Sequence, residues 1–175
     1  MWTIYGQDHL LKRLEASLQQ QRQSHAYLLC GPPHVGKMAL AINISQAVNC
    51  LEGPGIPCGS CTQCTRIAQG HHADVRVLYP GQGEEFGWPK TMIGLEAIKE
   101  TLRVVNLNPY EGSTSVVIID GAESMSDEAA NALLKTLEEP PPHAMFLLLT
   151  ANDEAVLTTV QSRCQTMTLV PLAKD

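Results

Sequence analysis

Three groups of residues in this chain have types and spacing suited to chemistry, and the first is Gly31-Pro32-Pro33-His34-Val35-Gly36-Lys37-Met38. Its spacing is that of a phosphate-binding loop, GxxxxGK[ST]. In such a loop glycines let backbone N–H groups turn inward around phosphate at the positive end of the next helix. The lysine holds the outer phosphates and a hydroxyl in the last position ligates magnesium. Gly31, Gly36 and Lys37 supply the first two functions, whereas Met38 brings only a thioether to the place of the hydroxyl. The pattern predicts a cradle able to take ATP or ADP but poorly equipped for Mg2+. Its partner is Asp120, the carboxylate that ends the apolar run Ser115-Val116-Val117-Ile118-Ile119, because a strand-end carboxylate beside such a loop holds magnesium. The next residue is Gly121, where hydrolysing enzymes of this kind carry a glutamate that orients the attacking water; Glu123 lies two residues too far along to replace it directly. Loss of that carboxylate costs ~10²–10⁴-fold in rate. Met38 and Gly121 thus predict, independently, weak or absent hydrolysis.

The second group is Cys50, Cys58, Cys61 and Cys64, spaced C-x7-C-x2-C-x2-C. Four thiolates close a tetrahedral shell and leave no open position, which defines a structural Zn2+ site within an insertion at residues 50–70. Iron–sulfur ligation would call for redox chemistry that nothing else in the chain supports. His71 and His72 are alternative ligands on paper, but an adjacent pair in a polar loop is expected to be solvated. The third group, Ser162-Arg163-Cys164, falls between a short helix and the last strand, where an arginine can project from the domain edge.

The elements that must position these groups alternate along the chain. Leu10, Leu11, Leu14 and Leu18 recur at helical spacing from Asp8 to about Gln21, and Ala26–Cys30 is a short apolar strand leading directly into the glycine loop. A helix from Lys37 to about Asn49 follows. Val75, Val77 and Tyr79 alternate in a strand over 74–79, and the glycine-bearing stretch 80–89 reads as a loop. Ile93, Ile98, Leu102 and Val105 form one helical stripe; a second helix runs from about Ser126 to Glu138 and is stopped by Pro140-Pro141-Pro142. Runs at 145–150 and 166–170 complete five strands. Strands alternating with helices predict an α/β fold, a five-stranded parallel sheet between helices.

At 175 residues the chain fits one domain, spanning 1–175. Its net charge of −6 excludes an overall basic field for non-specific DNA binding. The clustered cysteines fit a reducing compartment. With no run of transmembrane length and no basic-then-apolar leader pattern, the expected location is cytoplasmic.

These residues resemble a known family, the AAA+ subunits of the bacterial DNA polymerase III clamp loader, of both the delta-prime and the gamma/tau types. The resemblance covers essentially the whole chain. It rests on His25-Ala26-Tyr27-Leu28 before the loop, the cysteine module after its helix, Asn131-Ala132-Leu133-Leu134-Lys135-Thr136-Leu137-Glu138-Glu139-Pro140-Pro141, and Ser162-Arg163-Cys164. It implies a RecA-like AAA+ P-loop domain carrying a zinc insertion. It also implies partners: the other subunits of a hetero-pentamer, the sliding clamp, and primed DNA reached through the complex. Arg163 would be an arginine finger acting in trans on a neighbour's ATP, and Thr150 or Asn152 the first sensor of the terminal phosphate. Met38 and Gly121 depart from the motor type and suit the delta-prime type, a stator with little ATPase of its own within the polymerase holoenzyme. The alternatives are a gamma/tau motor that tolerates both residues, or a zinc-stabilised DNA-binding module with a vestigial ATPase fold. The family's lid and collar domains would lie beyond this chain, so a piece ending at the domain linker, around 170–175, is expected.

Overall fold

The computed structural model describes residues 1–82 and 91–172. Most of the 80–89 loop and the end of the expected linker therefore lie outside the described residues. In chain order the elements are α1 (Asp8–Gln19), β1 (Ala26–Cys30), α2 (Lys37–Asn49), α3 (Thr62–Ala68), β2 (Val75–Leu78), α4 (Leu95–Val105), β3 (Ser115–Asp120), α5 (Asp127–Glu138), β4 (Ala144–Thr150), α6 (Thr158–Gln161) and β5 (Gln165–Thr168). Short 3-10 turns at Ala122–Ser124 and Asp153–Ala155 follow β3 and β4.

The five strands form one sheet in the order β2-β3-β4-β1-β5. Every pairing is parallel, with Cys30 level with Thr150 and Asp120 level with Leu149. The carboxyl ends of the three central strands therefore meet at one edge. Alternation splits their side chains between two apolar layers. Leu28, Val117, Ile119, Phe146 and Leu148 pack under α4, α5 and α6, while Tyr27, Leu29, Ile118, Leu147 and Leu149 pack under α1 and α2. Burial on both faces is why β1, β3 and β4 read as continuous apolar runs rather than as alternating ones.

Some local expectations shift. Ile93 precedes α4 and makes an isolated parallel bridge to Met125, because Gly94 caps the helix in extended geometry. At the edge strand β2, Val75 and Val77 are half-buried against the layer under α1 and α2, as their alternation predicts, whereas Leu78 is buried in the opposite layer and Tyr79, beyond the strand end, is exposed. The last run begins at Gln165 and leaves the sheet at Thr168; Leu169 still donates its N–H to Cys30 O at 2.8 Å. Helix α3, inside the cysteine insertion, was not legible in a seven-residue segment with little apolar periodicity.

Candidate nucleotide cleft and metal centre

The loop between β1 and α2 is held from both sides. Gly31 N–H donates to Thr150 O at 3.2 Å, and its carbonyl accepts from Lys37 Nζ at 2.5 Å. Lys37 Nζ also donates to Pro32 O at 2.8 Å, folding the ammonium over the loop. A Cβ on residue 31 would come within 2.8 Å of Leu169 O, and Gly36 sits at φ +101° as the N-cap of α2, so both glycines are required by the backbone path. Helix α2 thus presents its uncapped N-terminal amides and positive dipole end at the loop.

A cleft of about 500 Å³ opens there. Gly36, Lys37 and Met38 form one wall, Asp120, Gly121 and Glu123 another, and Thr150 its floor. The parallel register places these segments side by side. Met38 also packs against the apolar layer beneath α1 and α2, an adaptable thioether filling space where a hydroxyl would be polar. The two sensor candidates separate: Thr150 lines the cleft with its hydroxyl donating to Asn152 O at 2.8 Å, whereas the Asn152 side chain turns away to accept from Glu154 N–H at 3.1 Å. A second groove of about 350 Å³ adjoins the other side of the loop, between Ile4, Tyr5 and Val35 and the stretch Val170 to Leu172. Sequence reasoning missed it because its walls come from opposite ends of the chain.

Gly121 shows more than a missing carboxylate. It stands at φ +87°, ψ 54°, and a Cβ there would touch Pro80 Cγ at 3.4 Å. Left-handed backbone costs an ordinary L residue ~1–2 kcal/mol. The turn after β3 is therefore built for glycine, and a glutamate at this position would not simply regain its place.

The cysteine centre is assembled from two helix ends. Cys50 terminates α2 and Cys61 is the N-cap of α3, its sulfur accepting from Cys64 N–H at 3.4 Å. The four Sγ atoms lie within 4.8 Å of one another, and Cys58 and Cys64 are 3.9 Å apart. Tetrahedral zinc with bonds of about 2.3 Å requires sulfur separations of roughly 3.8 Å, so the donor set fits the ion. Cys61 and Ser60 N–H groups, donating to Cys58 Sγ at 3.3 and 3.4 Å, pull that thiol down to about 6. Burial, aided by the neighbouring sulfurs, pushes the Cys64 thiol up to about 12. One thiol is drawn toward thiolate while its buried neighbour is held neutral, and a divalent cation bound among the sulfurs would favour the thiolate form of its ligands.

Buried polar groups bind this insertion to α2, and α2 to the turn before β3. Gln46 of α2 donates to Cys64 O at 2.9 Å, and Asn49 Oδ1 accepts from Ser113 and Thr114 N–H, each at 2.9 Å. His72 is not solvated as its sequence setting predicts; it is buried against Gln63 and Glu111, and burial lowers its pKa, while His71 is exposed. Beside it the Asp74 carboxylate accepts N–H bonds from Tyr110, Glu111 and Gly112 at 2.7, 2.8 and 2.7 Å. Burial works against the ionised Asp74, but these three donors, with His72 assisting, outweigh it and hold the carboxyl below its usual range. A depressed carboxyl pKa gives stability that is present above the unfolded value, near 4, and is lost as pH falls through the folded value. Thermal melts between pH 7 and pH 3 should show the wild type losing more stability on acidification than Asp74→Asn. At neutral pH the variant should be less stable by ~1–3 kcal/mol. Parallel pH profiles for the two proteins would show that Asp74 does not carry this dependence.

Arg163 does not line the cleft. It sits between α6 and β5 with Nη2 donating to Glu138 Oε1 at 2.7 Å and Nη1 donating to Thr159 O at 3.2 Å. The structure thus brings Gly36, Lys37, Met38, Asp120 and Thr150 around one cleft, gathers the four cysteines at a second centre, and leaves Arg163 apart from both.

A parallel five-stranded sheet with a glycine-lysine loop between β1 and α2 and a strand-end aspartate beside it defines a RecA-like P-loop domain of the AAA+ class. The family described as DNA polymerase III, delta subunit, matches residues 6–173, and the chain belongs to it. Over 166 residues the chain is 36% identical to DNA polymerase III subunit delta' of Bacillus subtilis, covering 95% of this chain and 48% of that protein. It is 37% identical over 163 residues to DNA polymerase III subunit tau of the same organism, covering 93% of this chain and 27% of that one. The crystal structure of a DNA polymerase III gamma subunit-related protein from Thermotoga maritima superposes with a TM-score of 0.64 at 25% identity, over 96% of this chain and 47% of that one. The chain thus spans about half or less of the length of each of these relatives.

Proposed function

We propose that this domain belongs to a delta-prime-type subunit of the DNA polymerase III clamp loader. In this reading it works as a stator that lends Arg163 to a neighbouring subunit's ATP while hydrolysing little itself, in a complex that loads the sliding clamp onto primed DNA in the cytoplasm. The observation that carries this reading is the contrast between two sites. The chain's own cleft lacks a hydroxyl at Met38 and has a backbone at Gly121 that disfavours any side chain, whereas Arg163 is intact and held at the surface. The similarity to tau favours one other reading, an ATP-hydrolysing motor subunit. A zinc-stabilised DNA-binding module is a weaker alternative given the net charge of −6; strongly salt-dependent binding to primed DNA by the chain alone would revive it.

Within the cleft, Lys37 would exchange its contacts with the loop carbonyls for phosphate, with the loop amides and the α2 terminus completing the cradle. Cys50, Cys58, Cys61 and Cys64 would hold zinc, which supplies cross-linking of the insertion and no chemistry on substrate.

Nucleotide-binding calorimetry on the chain, with and without magnesium, tests the stator reading together with steady-state ATPase assays. Expected are binding that magnesium strengthens little and that Lys37→Ala abolishes, with turnover far below the ~1–10³ s⁻¹ of ordinary enzymes. Restoring Met38→Thr together with Gly121→Glu should not produce an active ATPase, because the left-handed turn opposes the glutamate. Turnover at an ordinary rate by the unmodified chain would establish the motor reading.

A further inference from the structure

The Glu138–Arg163 pair joins residues 25 apart in sequence. Glu138 is the final residue of α5, where a carboxylate faces the negative end of the helix dipole and is by itself misplaced. The rest of α5 is firmly seated. Ser126 caps it by accepting from Ala129 N–H at 3.1 Å, and Ala129, Ala130, Leu133 and Leu137 are buried against the sheet. Glu138 therefore projects from a rigid support. Arg163 Nη2 donates to it, while both hydrogens of Nη1 are taken by Thr159 O and Ser162 Oγ, each at 3.2 Å. Of the five guanidinium donors, Nε–H and one N–H on Nη2 are left for another acceptor. The Arg163 side chain keeps 35% of its surface exposed. The same helix begins just after the turn that follows Gly121 and runs about 18 Å, at 1.5 Å per residue, to the arginine.

We propose that Glu138 is a positioning residue for Arg163. It fixes the guanidinium in one orientation on the end of α5, with two donors directed to an anionic group that a neighbouring subunit brings, so the arginine need not be ordered during each catalytic cycle. This rests on reading Arg163 as a finger acting in trans. A pair this exposed contributes little to stability, and its effect should fall on turnover.

The test uses the complete subunit assembled with its ATP-hydrolysing partners, comparing wild type, Glu138→Gln, Glu138→Asp, Arg163→Ala and the double variant Glu138→Gln/Arg163→Ala. Glu138→Gln should lower kcat at the adjoining site by roughly twofold to fivefold with KM for ATP and the melting temperature unchanged, an effect of the size expected for an exposed charged pair. Glu138→Asp should recover part of the loss. In the Arg163→Ala background Glu138→Gln should cause no further fall, because the two substitutions break one interaction. An unchanged or raised kcat in Glu138→Gln, while Arg163→Ala is impaired, would overturn the positioning role and leave the finger standing. Equal losses in both backgrounds would also overturn it and make Glu138 structural. An Arg163→Ala complex with full activity would overturn both readings together.

Discussion

Arg163→Ala, introduced into the complete subunit and assembled with its neighbours, is expected to reduce hydrolysis at the adjoining ATP site by ~10³–10⁵-fold, the range in which arginine fingers act. The mechanism is electrostatic. As the bond to the terminal phosphoryl group breaks, negative charge builds on the leaving oxygen and is shared with the phosphoryl oxygens, and a guanidinium already oriented there would stabilise it without reorganising. The domain itself should be indifferent to the change. Arg163 and Glu138 are 35% and 45% exposed, and an exposed pair of this kind contributes ~0–1 kcal/mol. Melting of the isolated chain and nucleotide binding in its own cleft should match wild type, while single-site hydrolysis in the complex collapses. A variant that lost assembly as well would point to an interface contact, and one that kept full hydrolysis would remove Arg163 from the reaction altogether.

Cys64→Ser is expected to release the metal and loosen the insertion. Elemental analysis should find one zinc per wild-type chain and essentially none in the variant. Cys64 is fully buried, its carbonyl accepts from Gln46 on α2, and Gln63 on α3 donates to Glu111 O in the turn before β3. Losing the ion should therefore expose that network as well as the loop. The two apolar layers on either side of the sheet do not depend on the metal, so the loss should be a fraction of the ~10–16 kcal/mol by which zinc folds isolated finger peptides. A loss of ~3 kcal/mol would lower Tm by roughly 6–12 °C in a domain of this size. Hydrogen exchange should rise across residues 50–72 and 111–114 but not in β3 or β4. A variant that retained stoichiometric zinc, or one whose exchange rose uniformly, would mean that the ion is held elsewhere or that the insertion is not its own cooperative unit.

Much of the site was legible because it is local. Strand β1, the glycine loop and α2 are contiguous, and the loop's spacing carries its own backbone logic. The cysteines fall within one short segment whose thiols have a closed-shell preference. β3 announced itself as a buried strand ending in Asp120. His72 escaped because its surroundings, Gln63 and Glu111, come from segments on either side of β2, and nothing adjacent to it in sequence is apolar enough to foretell burial. The distinction between Thr150 and Asn152 escaped for a similar reason, since it depends on which way the turn after β4 folds.

By itself the sequence determined the glycine-lysine loop between β1 and α2, the grouping of the four cysteines, the five strands, and the residue types at Met38 and the position after Asp120. Each depends on side-chain type and short-range spacing, which polymer connectivity enforces before any packing occurs. Tertiary structure alone decided the strand order β2-β3-β4-β1-β5, which brings Lys37, Asp120 and Thr150 to one edge. It also set Gly121 in a left-handed conformation that disfavours a side chain and closed Arg163 onto Glu138. Those outcomes follow from the register of parallel strands and the docking of helices across them. Such contacts join residues far apart in the chain, and their energies are settled only when both apolar layers are packed.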